Sequence, residues 1–146
     1  MRLEISRRAD LATRALVTLS ETTERMKASE LARVLDTTPG FLSQAMSPLV
    51  ARGWVRSVPG PSGGYAAGTD LERVSVLAVI EAVEGPTDVS RCVLEARECS
   101  GGSPCALHEA WQRARGQLLA EFAATSVAST RTGTPAPRAR GVRRNA

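Results

Sequence analysis

Cys92, Cys99, Cys105 and His108 fall within seventeen consecutive positions, and the rest of the 146-residue chain has no other cysteine or histidine. Thiolates and imidazole bind borderline-soft metals, so Cys92-x6-Cys99-x5-Cys105-x2-His108 is a plausible four-ligand set. Ser103 and Pro104 read as a helix opening, which would put Cys105 in the first turn. There the helix N–H groups and dipole favour the thiolate form, and His108, three residues on, lies on the same face. The segment "ECSGGSPC" supplies the glycine-rich loop that lets Cys99 and Cys105 converge. These spacings are not those of a zinc finger, whose paired ligands stand closer. Unrelated buried thiols are a poor alternative, because loops rich in Ser, Gly and Glu rarely bury cysteine. An odd number of cysteines, in a chain expected to be cytoplasmic, also disfavours a disulfide framework.

That location follows from two features. The start "MRLEISRRAD" is charged and lacks the apolar core of a signal peptide, and no apolar run approaches the length of a membrane span. No membrane partner is expected. One apparent catalytic motif is a chance match. Gly60-Pro-Ser62-Gly-Gly64 fits G-x-S-x-G, but a nucleophile elbow needs a strand-to-helix turn in a large parallel sheet, which this chain is too small to build. With no convincing acid/base pair either, the chain is not expected to be an enzyme.

The elements that must position the cysteines begin with "SRRADLATRALVTLS", where Ala12, Ala15, Leu16 and Leu19 recur at helical spacing. A short helix, "ASELARVL", follows. Thr38 as N-cap and Pro39 at the first helical position then open "DTTPGFLSQAMSPLVARG", whose apolar stripe is Phe41, Leu42, Ala45, Met46 and Leu49. Two helices around the tight "DTT" turn make a helix-turn-helix candidate. Pro48 cannot donate to Gln44, so the second helix is expected to kink or end early. "GWVRSVPGPSGGYAAG" reads as strands Trp54–Val58 and Tyr65–Ala67 around a Pro/Gly loop. Helix-turn-helix followed directly by a hairpin is the order of a winged helix, which places its second helix in the major groove. A small α domain can also carry a hairpin without touching DNA.

Further on, "VSVLAVIEAVEG" is a short helix ended by Gly85-Pro86. From Ala106 to about Ala124, Leu107, Trp111, Ala114, Leu118 and Phe122 form an apolar seam some five turns long. Such a seam could pack on its own domain. A domain this small has little core to offer it, however, and DNA-reading folds commonly pair to match two half-sites. A homodimer interface over Leu107, Trp111, Leu118 and Phe122 is therefore favoured. Charge divides along the chain: residues 1–68 hold 9 Lys+Arg and 6 Asp+Glu, residues 69–130 hold 5 and 9, and residues 131–146 hold five arginines and no acid. A basic front beside an acidic middle places a polyanion partner at the front. The expected organisation is mainly α with a small β-hairpin: a winged helix-turn-helix region over 1–68, a short helix and cysteine loop over 69–105, a long C-terminal dimerisation helix over 106–130, and a disordered basic tail over 131–146.

Over nearly all of residues 1–130 the chain resembles the iron–sulfur winged-helix regulators of bacteria, the family of IscR and NsrR (the BadM/Rrf-two type). The resemblance rests on "MRLEISRRADLATRAL", "ASELARVLDTTPGFLSQAMSPLVARGWV", "GPSGGY", "VIEAVEG" and three cysteines ahead of a long helix. It implies a homodimeric transcriptional regulator, commonly a repressor, that binds double-stranded operator DNA. It also implies that DNA affinity changes when a bound iron–sulfur cluster is lost, oxidised or attacked by nitric oxide. Carried over, Cys92, Cys99 and Cys105 are the cluster thiolates. The fourth ligand is His108 if the match is to the two-iron members, or Asp10 of the partner's first helix if it is to the four-iron members. The first cysteine gap is one residue longer than in the members just described, and Pro59 stands where a basic wing residue is common. The DNA-facing set is Thr38, Ser43, Gln44 and Ser47 on the recognition helix, with Arg56, Ser62, Gly63 and Tyr65 on the wing; Gln suits adenine, and Ser reads either a base or a phosphate. The competing reading is a zinc-stabilised winged-helix DNA-binding protein without sensing, because Cys3His is also a structural zinc set.

Overall fold

The computed structural model describes residues 3–87, 92–94 and 104–131. It is mainly helical with one two-stranded antiparallel hairpin, as the sequence predicts. Helix α1 (Arg7–Ser20) starts where the Ser6 hydroxyl accepts the Ala9 N–H at 3.1 Å, which satisfies one of the donors orphaned at a helix start. Ala9, Ala12, Ala15, Leu16 and Leu19 form its fully buried stripe. It packs on α3 (Pro39–Ala51) and on α4 (Val76–Glu84).

Helix α2 (Ala28–Val34) ends in a Schellman turn. Thr37 N–H donates to the Ala32 carbonyl and Asp36 N–H to that of Arg33, with Asp36 at φ 51°. Aspartate is one of the few side chains that tolerates this left-handed position, which ends α2 ahead of the Thr38 cap. Thr38 then caps α3 through its hydroxyl, accepting from Phe41 N–H at 3.2 Å. Helix α3 does not end early at Pro48, contrary to the sequence expectation; it runs three residues further. The proline removes a single bond, while Leu42, Ala45, Met46 and Leu49 are all completely buried and hold the helix against the core. A second Schellman turn closes it, with Gly53 at φ 73° and Trp54 N–H on the Leu49 carbonyl.

The hairpin pairs β1 (Val55–Val58) with β2 (Gly64–Ala67) in the register Val55–Ala67 to Val58–Gly64. Met26, just ahead of α2, adds a third-strand contact: it exchanges both backbone bonds with Tyr65, at 2.8 and 2.9 Å. The wing is thereby tied to the start of the helix-turn-helix.

Helix α5 (His108–Ala124) is shorter at both ends than the expected 106–130. After it, Val127 N–H donates to Val74 O, Val76 N–H donates to Thr125 O, and a 3-10 turn over Val127–Arg131 drops Val127 and Ala128 into the same core as α1. The chain thus returns to the DNA-reading half. Arg131, expected in the disordered tail, belongs to that turn and donates to the Ser20 hydroxyl at 2.8 Å. The remainder of the tail lies outside the described residues. Among the described residues, no helix is long and apolar enough to cross a membrane.

Candidate DNA interface and cysteine site

Helix α3 has two faces of opposite character. Leu42, Ala45, Met46 and Leu49 fill the inner one, and Ser43, Gln44 and Ser47 are exposed on the outer one with Thr38 exposed at the cap. The four residues expected to read DNA from the recognition helix therefore stand free of the core, three on α3 and Thr38 at its cap. Arg7 stacks its guanidinium over the Phe41 ring, 5.8 Å from the centroid, beside that helix start.

The wing residues divide differently. Arg56 and Ser62 are exposed, and the Arg56 guanidinium donates to the Ala67 carbonyl at 3.2 Å, which lays the side chain along the hairpin. Gly63 is buried, and a β-carbon there would lie 1.9 Å from the Val58 carbonyl oxygen. Gly63 therefore closes the wing turn, its N–H donating to the Gly60 carbonyl at 3.0 Å. Tyr65 is half-buried against the core, and its backbone is engaged by Met26.

In the cysteine site, Cys92 and Cys105 are both half-buried, with their sulfurs 3.3 Å apart. Two thiolates about 2.3 Å from one tetrahedral ion stand about 3.8 Å apart, so this pair needs to spread by only about half an ångström to share a metal. Cys105 is not in the first turn of α5, as the sequence suggested. It precedes the helix in a turn in which His108 N–H donates to the Cys105 carbonyl at 3.0 Å, and the helix begins at His108. The N-cap, Leu107, has no side-chain acceptor, so the turn that turns the Cys105 sulfur toward Cys92 replaces a capped helical start. His108 is half-buried at that start. Cys99 lies outside the described residues, and no group of three or more possible metal ligands occurs among those described. Asp10 sits in the first turn of α1, half-exposed, 3.5 Å from the Arg14 guanidinium; that guanidinium also donates to the Leu35 carbonyl at 2.9 Å. Chemically, two adjacent thiols fit part of the ligand set of a soft metal or an iron–sulfur group.

The α5 seam is unevenly used. Leu107 and Leu118 are 45% and 44% exposed, and no residue of the helix is buried. Trp111 is half-buried under the Arg115 guanidinium. Phe122 is half-buried and turns inward, with Leu119, to line a cavity of about 330 Å3 shared with Leu77 and Ile80 of α4.

Comparison with known proteins decides the affiliation. Residues 5–130 match the family described as "Rrf2: Iron-dependent Transcriptional regulator". The chain belongs to the Rrf2 family. It is 42% identical over 73 residues to the HTH-type transcriptional regulator IscR of Yersinia pseudotuberculosis, a match covering 49% of this chain and 43% of IscR. An HTH-type transcriptional regulator of Aquifex aeolicus is 29% identical over 116 residues, 77% of this chain and 81% of that protein. The solved structure of CymR, the global cysteine regulator of B. subtilis, superposes with a TM-score of 0.69 at 25% identity, covering 91% of this chain and 99% of CymR. The Rrf2 protein described here is thus a winged-helix transcriptional regulator of that family.

Sequence reasoning placed Asp36 in the turn between the two helices but missed its left-handed conformation, and it missed the return of Val127 and Ala128 to the core. The first carried a signal, an aspartate directly after an apolar helix; the second carried none beyond Val127 itself.

Proposed function

We propose that this Rrf2 protein is a homodimeric repressor whose affinity for operator DNA is set by an iron–sulfur cluster on Cys92, Cys99 and Cys105, with His108 or Asp10 as the fourth ligand. The observation that carries this reading is the approach of Cys92 and Cys105 to 3.3 Å from segments thirteen residues apart, in a family described as iron-dependent. Bound there, the cluster would supply a redox- and nitric-oxide-sensitive centre whose loss is chemically easy, because only three of its protein ligands are thiolates.

The chain's own residues carry the rest of the function. Ser43, Gln44 and Ser47 enter the major groove, with Gln44 paired to adenine and Thr38 near a phosphate. Leu107, Trp111 and Leu118 present the uncovered side of α5 to the same helix of a second copy, and Phe122 supports that contact from the α4 side. Two recognition helices then meet two half-sites, and a small reader of this kind represses by occupying the operator. Asp10 and Arg14 stand on the helix that packs directly behind α3. A change in what holds Asp10 would therefore reach the recognition helix through packed contacts, giving the two sites a shared coupling free energy. The protein is expected in the cytoplasm, where the DNA is.

Anaerobic purification followed by iron and sulfide counts and an absorption spectrum tests the assignment. A brown protein with both elements is expected, and a colourless zinc protein would reject the sensor and leave a zinc-stabilised DNA-binding module. Titration with nitric oxide while operator affinity is followed tests the coupling; destruction of the cluster at constant affinity would reject regulation.

A further inference from the structure

The backbone exchange between Met26 and Tyr65 makes the segment before α2 a third strand of the wing. Continuing that antiparallel register sets Arg25 opposite Ala66 and Lys27 opposite Gly64, and Ala66 and Gly64 already pair with Arg56 and Val58. Directly paired residues project from the same face of a sheet, and neighbours along a strand alternate. Arg25, Lys27, Ala66, Arg56 and Val58 therefore share the face opposite to Met26 and Tyr65, which pack on the core. All five line one cleft of about 620 Å3. Gly63 and Ala66 are its small lining residues, with Arg25 and Lys27 supplied by the segment before α2 and Arg56 by β1. Glu24 is the one carboxylate lining it.

We infer that this cleft is an anion cradle for a phosphodiester of the DNA backbone, gripped by Arg25, Lys27 and Arg56 on the flank of the wing. This rests on the reading of the chain as an operator-binding protein and names a contact that reading does not contain. Three cations around small lining residues fit a phosphate, which can approach closely and accept from several N–H donors at once. The cations are available for it. Among the described residues neither Arg25 nor Lys27 has an ion pair, and Arg56 is held only by the Ala67 carbonyl. The wing tip, by contrast, runs Val58, Pro59, Gly60, Pro61, Ser62 and holds no charge. The wing's positive charge sits beside the sugar–phosphate backbone rather than at a tip that would enter the minor groove. The strand junction beside the cleft is tight as well: a β-carbon on Gly64, which pairs with Val58, would lie 2.5 Å from the Met26 carbonyl oxygen, so a larger residue there would push the Met26 segment away from the hairpin.

The test is the salt dependence of binding by the full-length dimer to two probes: a duplex selected by the protein from a random pool, and a scrambled duplex of equal length. Lys27→Gln is expected to reduce the slope of log affinity against log salt by about one per protomer, with Arg25→Gln/Lys27→Gln reducing it further and Arg25→Lys restoring most of the arginine's share. The loss should be equal on both duplexes, because a backbone contact reads no sequence. An unchanged slope with specific binding intact overturns the cradle alone. A loss confined to the selected duplex overturns it in favour of a base contact by the wing. Failure of the unaltered protein to bind either duplex overturns the cradle together with the operator-binding reading. Arg25 and Lys27 are exposed, so thermal unfolding of the variants at the unaltered midpoint separates lost contact from lost fold.

Discussion

The DNA-reading half and the cysteine-bearing half of this protomer are built by opposite means. In the first, α1, α3 and α4 each begin at a hydroxyl that caps the helix (Ser6, Thr38 and Ser75), and each presents a stripe of buried side chains to one core. In the second, α5 begins at a leucine with no capping group and buries none of its seventeen residues. Within the protomer α5 packs on α4, where Leu119 and Phe122 line the shared cavity. The reading half is held by its own core, whereas α5 leaves much of its surface open to further cover. In our proposal that cover is a metal group at the cysteines and a second copy along α5. The 3-10 turn at Val127 ties the far end of α5 back to the core that α1 and α3 share.

The contrast can be broken by substitutions on either side, and the largest effect is expected at the cysteines. Cys105→Ser should reduce bound iron in anaerobically purified protein to background while the far-UV circular dichroism of the winged helix persists; retained iron would remove Cys105 from the ligand set. Next in size is the core. Leu42→Ala should lower the unfolding free energy by about 2–5 kcal/mol in a denaturant titration, because it empties a wholly buried position on α3. On α5 the same kind of measurement should behave differently. Trp111→Asp should cost about 2 kcal/mol or more of dimer affinity, seen as monomer by sedimentation, and a dimer of unchanged affinity would place the seam within the protomer. Smaller again, Gln44→Ala should cost about 1–3 kcal/mol at a single base position in a competition assay across operator variants. Thr38→Ala is expected to be the mildest, at about 1 kcal/mol of stability, since it removes one capping bond and leaves the Phe41 N–H to water.

Much of the reading half was legible residue by residue. Helical spacing of Ala12, Ala15, Leu16 and Leu19, Thr38-Pro39 as a start, and short β-prone runs around "PGPSGG" are local signals with local causes, and α1, the start of α3 and the hairpin appear where they place them. Pro48 misled because a propensity was weighed without the burial of Leu42, Ala45, Met46 and Leu49 that outweighs it. Cys105 misled for the opposite reason. Ser103-Pro104 is a valid helix opening, yet Cys105 stands in a turn before the helix, with its sulfur beside that of Cys92. Gly63 was expected among the DNA-facing wing residues; that a side chain there would meet the Val58 carbonyl depends on how the hairpin closes.

The sequence by itself determined the element order, the apolar face of α3, and the gathering of every cysteine and the one histidine into a single stretch, because periodicity, capping and ligand type are properties of neighbouring residues. Tertiary structure alone decided that Met26 joins the wing, that Val127 and Ala128 return to the core of α1, and that two cysteines thirteen residues apart meet. These are contacts between distant segments, and their energies come from burial and backbone pairing that no local pattern records.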